Sequence, residues 1–119
     1  MNHHGKVSFS WKGDIFIADV QGPFNEEAVE HYIPLLKEAI LKKKLSTWKR
    51  LEVWNDEMLA SPAVITMAKE IYDWYDENGC IKTAIVLCNS LQIHMVKDML
   101  NSNAEVFTES QKAQEWLDT

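Results

Sequence analysis

The segment from Ile81 to Cys88 reads IKTAIVLC and is apolar on both faces of an extended chain. A strand with one wet face alternates apolar and polar residues. A strand that is apolar on both faces has to be covered on both, which is the pattern of a buried parallel strand. Parallel neighbours cannot be joined by a hairpin turn and need a crossover, usually a helix. This run therefore commits the chain to an α/β arrangement of strands alternating with helices, joined by right-handed crossovers.

The remaining segments supply that alternation. Lys6 to Trp11 places Val7, Phe9 and Trp11 on one face and Ser8 and Ser10 on the other, as a half-buried edge strand does. Lys12-Gly13-Asp14 is a turn, and Ile15 to Val20 is apolar on both faces apart from Asp19, so the pair reads as a hairpin. Gly22-Pro23 breaks the second strand. Asn25 then caps a helix with Glu26 and Glu27 in its first turn, the apolar stripe Val29, Tyr32, Ile33, Leu36 and Ile40, and Lys42, Lys43 and Lys44 at its negative end. Pro34 removes one backbone donor inside this helix and is expected to kink it. Trp48 to Trp54 is a third strand. Ser61-Pro62 starts a second helix that ends at Asn78-Gly79. After the fourth strand, Asn89-Ser90 starts a third helix that runs to about Asn101, and Ala104 to Phe107 is a short fifth strand. Thr108 with Gln111 has the spacing of a capping box for a last helix through Trp116 and Leu117. The expected fold is a single α/β domain over residues 1–119, with a central mixed sheet of about five strands, the first antiparallel, and four helices.

Composition narrows the function. With 119 residues, 46% of them apolar, one domain with a real core fits the length. Twelve basic residues against 18 acidic ones give a net charge of -6, which argues against a nucleic-acid binder. The longest uncharged stretch, Thr83 to Val96, has 14 residues and contains Asn89, Ser90 and Gln92, too short and too polar to cross a bilayer. Met1 to Trp11 lacks the apolar core of a signal peptide. Cys80 and Cys88 sit at either end of the fourth strand, about 26 Å apart by strand rise against the roughly 7 Å a disulfide needs. Both read as buried free thiols of a reducing, cytoplasmic setting. His31 and His94 fall on the polar sides of their helices, His3-His4 lies at the terminus, and no metal-binding, redox or phosphate-loop motif occurs. No metal, cofactor or catalytic residue is expected, and the chain reads as non-enzymatic.

The Gly22-Pro23-Phe24 turn before the first helix, Leu51-Glu52-Val53 on the third strand, the run Thr83-Ala84-Ile85-Val86-Leu87 and the ending Phe107 to Leu117, in this element order and at this length, resemble the STAS / SpoIIAA-like superfamily. The closer match is its uncharacterised bacterial branch, sometimes labelled STAS/SEC-fourteen-like, and the lipid-binding CRAL-TRIO proteins look like enlarged relatives. The resemblance implies one of two activities, because a fold alone does not choose between them. Anti-sigma-factor antagonists carry a serine, phosphorylated by a partner kinase, at the start of the helix after the third strand. Ser61 matches that place roughly, in Asn55-Asp56-Glu57-Met58-Leu59-Ala60-Ser61-Pro62 rather than an Asp-Ser-Ser-Gly-like motif and without its Gly, and helix capping accounts for it completely. Lipid-transfer proteins instead hold an apolar ligand between helices and sheet.

The residues themselves favour the ligand. On a helical wheel the second helix has an apolar arc about 180° wide, from Met67 and Trp74 to Ile65 and Tyr72, where packing on a sheet takes about 100°. Met58 and Leu59 add apolar residues in the preceding loop. Ligands of open α/β sheets sit beyond the carboxyl ends of the strands, which here gather Phe24, Trp54, Met58, Leu59 and Leu91 with Asn55, Asp56, Asn89 and Ser90. The candidate ligand-binding residues are Phe24, Trp54, Asn55, Met58, Leu59, Ile65, Tyr72 and Leu91. The loop 55–60 is expected to act as a lid, polar and loosely packed at Asn55-Asp56-Glu57, with Leu59 covered when it closes, so that Leu59→Asp would remove a bound fatty acid. Six basic residues between Lys37 and Arg50 face only Glu38 as opposing charge. Lys42, Lys43, Lys44, Lys49 and Arg50 form a candidate surface for anionic lipid headgroups at the inner face of a membrane. The expected partners are thus a small apolar or lipid-like ligand, a peripheral membrane contact or a protein partner. A second copy of the chain could pair along the edge strand, although Lys6 and Lys12 bracket that edge as blunting charges do.

Overall fold

A computed structural model describes residues 5–119; His3, His4 and the start of the N-terminal segment lie outside them. The elements run β1 (Lys6–Lys12), β2 (Ile15–Gln21), α1 (Glu26–Lys43), β3 (Trp48–Trp54), α2 (Pro62–Glu77), β4 (Cys80–Val86), α3 (Ser90–Val96), β5 (Ala104–Phe107) and α4 (Ser110–Leu117). The five strands form one sheet in the order β1-β2-β3-β4-β5. β1 pairs antiparallel with β2, and every later pairing is parallel. β3 is therefore the central strand, and β4, the run that is apolar on both faces, is covered on both.

Alternation along the strands sorts the core into two clusters. Phe16, Val20, Trp48, Trp54, Ile85 and Leu87 pack with Leu36 and Ile40 of α1, Ile71, Tyr72 and Tyr75 of α2, and Val96 of α3. On the opposite face, Leu51, Ala84 and Val86 pack with Ala113 and Leu117 of α4. β1 turns Val7, Phe9 and Trp11 toward the larger cluster and leaves Ser8 and Ser10 exposed. Aromatic rings fill the wide end of that cluster: Trp48 lies edge-on to Phe16 at 6.2 Å and to Tyr75 at 5.8 Å between centroids.

The caps follow the sequence. Asn25 Oδ1 accepts from Ala28 N at 2.9 Å, Ser61 Oγ from Val64 N at 3.2 Å and Asn89 Oδ1 from Gln92 N at 2.9 Å. α1 continues through Pro34 to Lys43. Two boundaries differ from expectation. α3 stops at Val96 rather than near Asn101. Beyond it Met99 N bonds Val96 O at 2.8 Å, a tighter turn that brings Met99 into the core beside Val96. Asn101 and Asn103 then spend their amides on Asp73, Asp76 and the Cys80 carbonyl, bonds a continuing helix would not leave them. At α4 the Thr108/Gln111 box does not form. Glu109 occupies the cap position without a side-chain bond, because burial of Ala113 and Leu117 fixes where the helix starts, and Gln111 turns to Glu115 instead.

The cysteines also part company. Both are free, but only Cys80 is buried. β4 ends at Val86, so Cys88 falls past the covered strand, exposed at the start of the next loop, with its thiol donating to the Trp54 carbonyl at 3.2 Å. Burial pushes the Cys80 thiol pKa up, and its thiol and the Thr83 hydroxyl lie 3.4 Å apart. Burial outweighs that contact, which on its own favours the thiolate, and protects the thiol, since only an accessible thiolate reacts. In a DTNB titration of the native protein at mildly alkaline pH, the Cys88 thiol should react promptly and the Cys80 thiol only after urea is added; replacing Cys88 with Ser should abolish the native-state reaction.

Candidate functional site

Between α1, α2 and the sheet lies a cavity of about 80 Å³. Ala18, Val20, Trp54, Met58, Ala68 and Tyr72 line it with Val7, Phe24, Tyr32 and Ile33. Two small side chains create the space: Ala18 on β2 and Ala68 on α2 stand where larger neighbours would meet. Val7, Phe24, Tyr32 and Ile33 are half-buried, so the rim lies along β1 and the N-terminal half of α1. Sites for drug-sized ligands span about 300–1,000 Å³, so in this form the cavity has room for no more than a short alkyl group.

Glu52 is the charged residue in that lining. Its two oxygens are held by three donors. Arg50 Nη1 reaches Oε1 at 2.5 Å, Trp54 Nε1 reaches Oε2 at 2.7 Å, and the Tyr72 hydroxyl donates to the same Oε2. Arg50, Glu52 and Trp54 alternate along β3, so strand geometry places all three on one face. Arg50 is 2% exposed, its guanidinium carbon 4.2 Å from the Tyr72 ring centroid and 4.5 Å from that of Tyr75. Burial alone would lower the Arg50 pKa; Glu52 and the two tyrosines outweigh it, and the net direction is upward. Burial likewise raises Tyr72 and Tyr75, so both stay neutral phenols. This overturns Arg50 as a membrane-facing cation: counting charges along the chain cannot see that its side chain turns inward between two aromatic rings.

The carboxyl ends of the strands are stitched shut. Gln92, fully buried, accepts from Cys88 N at 2.9 Å through Oε1 and donates through Nε2 to the carbonyls of Asn55 at 2.8 Å and Met58 at 3.2 Å. Asn55 N bonds Val20 O, its Oδ1 accepts from Gly22 N at 3.2 Å, and Phe24 N bonds Leu59 O at 3.0 Å. A Cβ on Gly22 would come within 2.5 Å of Met58 Cα, so the loop lies directly on the β2 end. The expected loose lid is thus a tied loop, because its polar residue Asn55 bonds the fold rather than water. Sequence reasoning missed Gln92, although Asn89 and Gln92 have the cap-to-third-residue spacing at which such a side chain turns back.

Of the expected ligand residues, Phe24, Trp54, Met58 and Tyr72 meet at the cavity. Asn55 serves the loop. Ile65 lies half-buried in a separate groove with Pro62, His94 and Met95. Leu59 is 46% and Leu91 55% exposed, and neither reaches the cavity: Leu59 stands on the outside of the tied loop and Leu91 on the solvent face of α3. Leu59 is therefore uncovered, contrary to expectation. Lys42, Lys43 and Lys44 are exposed beside the exposed Leu41 and Leu45, whereas Lys49 is half-buried and donates to the Leu117 carbonyl. Ser61 is exposed at the start of α2. Among the described residues no group of three or more His, Cys, Asp or Glu could hold a metal ion, and no helix is long and apolar enough to cross a membrane.

No protein-family model matches the chain, and no curated protein does. Solved structures do. An uncharacterised protein of the DUF3478 family with a SpoIIAA-like fold, from Shewanella loihica PV-4, superposes with a TM-score of 0.69 at 17% identity over 98% of this chain and 96% of its own. The Bacillus cell fate determinant SpoIIAA in its phosphorylated form gives 0.57 at 13% identity over 93% of this chain and 99% of its own. These likenesses establish a SpoIIAA-like fold, as the element order implies.

A buried ion pair is a poor source of net stability, but losing one partner strands the other charge, at about 3–5 kcal/mol. Arg50→Met should lower the urea unfolding free energy by that amount. The double change Arg50→Met with Glu52→Leu should recover most of the loss, as measured in the same titration. Equal losses in the single and double variants would mean that the pair does not act as a unit.

Proposed function

We propose that the chain is a non-enzymatic binding module that takes a small apolar or lipid-like ligand between α1, α2 and the sheet. The observation behind this reading is the apolar cavity with its half-buried rim of Val7, Phe24, Tyr32 and Ile33. A packed core leaves few voids larger than a water molecule, and this one is bounded by Ala18 and Ala68 where bulkier side chains would close it. The same reading includes a peripheral contact with anionic lipid through Lys42, Lys43 and Lys44, which stand exposed between Leu41 and Leu45.

Native mass spectrometry after gentle purification should find a co-purified amphiphile. Ala68→Leu, which fills the cavity, should abolish that adduct while raising the melting temperature of the delipidated protein, since each buried methylene contributes about 0.8 kcal/mol. Absence of an adduct, together with no thermal shift from fatty alcohols, fatty acids or phospholipids, would return the chain to a protein-interaction role.

A second reading rests on Ser61. It is exposed and caps a helix of 16 residues directly after the central strand and its loop. The Bacillus neighbour was solved in a phosphorylated form. A phosphate on this cap would sit at the positive end of the helix dipole, beside the Ala63 and Val64 N–H groups. Phosphopeptide mapping of the chain isolated from its own cells should then find the modification on Ser61; a chain modified elsewhere, or nowhere, removes this reading.

A further inference from the structure

We infer that Glu52 selects the head group of the ligand, admitting a neutral hydroxyl donor and rejecting a carboxylate. This inference rests on the ligand reading above and deepens it. Glu52 is 7% exposed and is the charged group in the cavity wall. A carboxylate offers about four lone-pair sites, and three donors occupy Glu52: Arg50, Trp54 and Tyr72. One acceptor site is left, and it matches a single O–H. The Trp54 indole and the Tyr72 hydroxyl already donate to Glu52, so neither turns to receive an incoming anion.

The positive charge that could attract an anion is out of reach. Arg50 sits outside the cavity lining, between the rings of Tyr72 and Tyr75, with its Nη1 on Glu52. Its Nε is buried without a hydrogen-bond partner. A carboxylate head entering the cavity would therefore meet a like charge in a space lined otherwise by apolar groups and phenols. A hydroxyl at the same place gains a charge-assisted hydrogen bond. The cavity thus suits an apolar chain ending in an alcohol, and a fatty acid can enter only with its head left at the rim.

The test uses n-hexanol and hexanoate as probes of equal chain length, added to the isotope-labelled full chain at neutral pH. The readout is the Trp54 indole N–H resonance, which reports directly on the Glu52 hydrogen bond. Hexanol should shift it with an apparent Kd lower than that of hexanoate by about tenfold or more, the scale of one like-charge encounter. Glu52→Gln should bring the two probes to similar affinity. Where that variant does not fold, the ratio measured on the unaltered chain decides alone. Hexanoate binding as tightly as hexanol would overturn the head-group assignment and leave the ligand reading standing. A Trp54 resonance that moves with neither probe would overturn both.

Discussion

The hydrogen-bonded pair of Arg50 and Glu52 sets the terms for the larger half of this molecule. Two opposite charges on the central strand of a sheet can stay buried only if every neighbour helps. Tyr72 and Tyr75 of α2 cover the guanidinium, and Trp54 and Tyr72 donate to the carboxylate. The rotation of α2 about its own axis is thereby fixed by polar contacts rather than by apolar fit alone. Apolar contacts tolerate sliding, whereas a buried carboxylate short of its donors is costly. The cavity follows from the same requirement. With α2 held at that rotation, Ala68 and Ala18 line the same space between helix and sheet, and it remains open.

Closure of the strand ends is the other organising fact. In many open α/β sheets the loops past the strands form a cleft. Here Gln92 and Asn55 consume the polar groups of those loops in bonds to one another. Those bonds hold the loops against the strand ends and leave a shallow hollow there beside Gln21, Val53 and Asn55, while the apolar cavity lies beneath α1 and α2. The exposed apolar residues Leu59 and Leu91 mark the outside of this knot.

Element order, pairing direction and most helix starts were legible because each is set by local signals: period-two alternation, cap residues, Gly and Pro. The boundaries that failed depended on distant packing. α3 ends where Met99 must reach the core, and α4 begins where Ala113 and Leu117 must meet the sheet. Within the site, Phe24, Trp54 and Met58 were visible as large apolar residues near the strand ends, and Tyr72 as part of the wide apolar arc of α2. Ala18 and Ala68 were not, since a small residue declares a void only once its neighbours are placed. Arg50 was misplaced by reading charge along the chain. The pattern Trp48, Arg50, Glu52, Trp54 at alternate positions already put it on the face of two tryptophans. Leu59 and Leu91 show the converse error, in which an apolar residue was taken to be covered because it is apolar.

β1 is a wall with two sides. Val7 borders the internal chamber, while Ser8, the next residue along, stands in water on the reverse of the same strand. Any occupant large enough to push the wall outward has to displace its outer surface as well. A fluorescent label at Ser8, with Cys88 removed to avoid a competing thiol, would touch nothing inside and still feel the chamber fill. If the cavity fills as proposed above, its filling would be read optically at a residue that never meets the occupant.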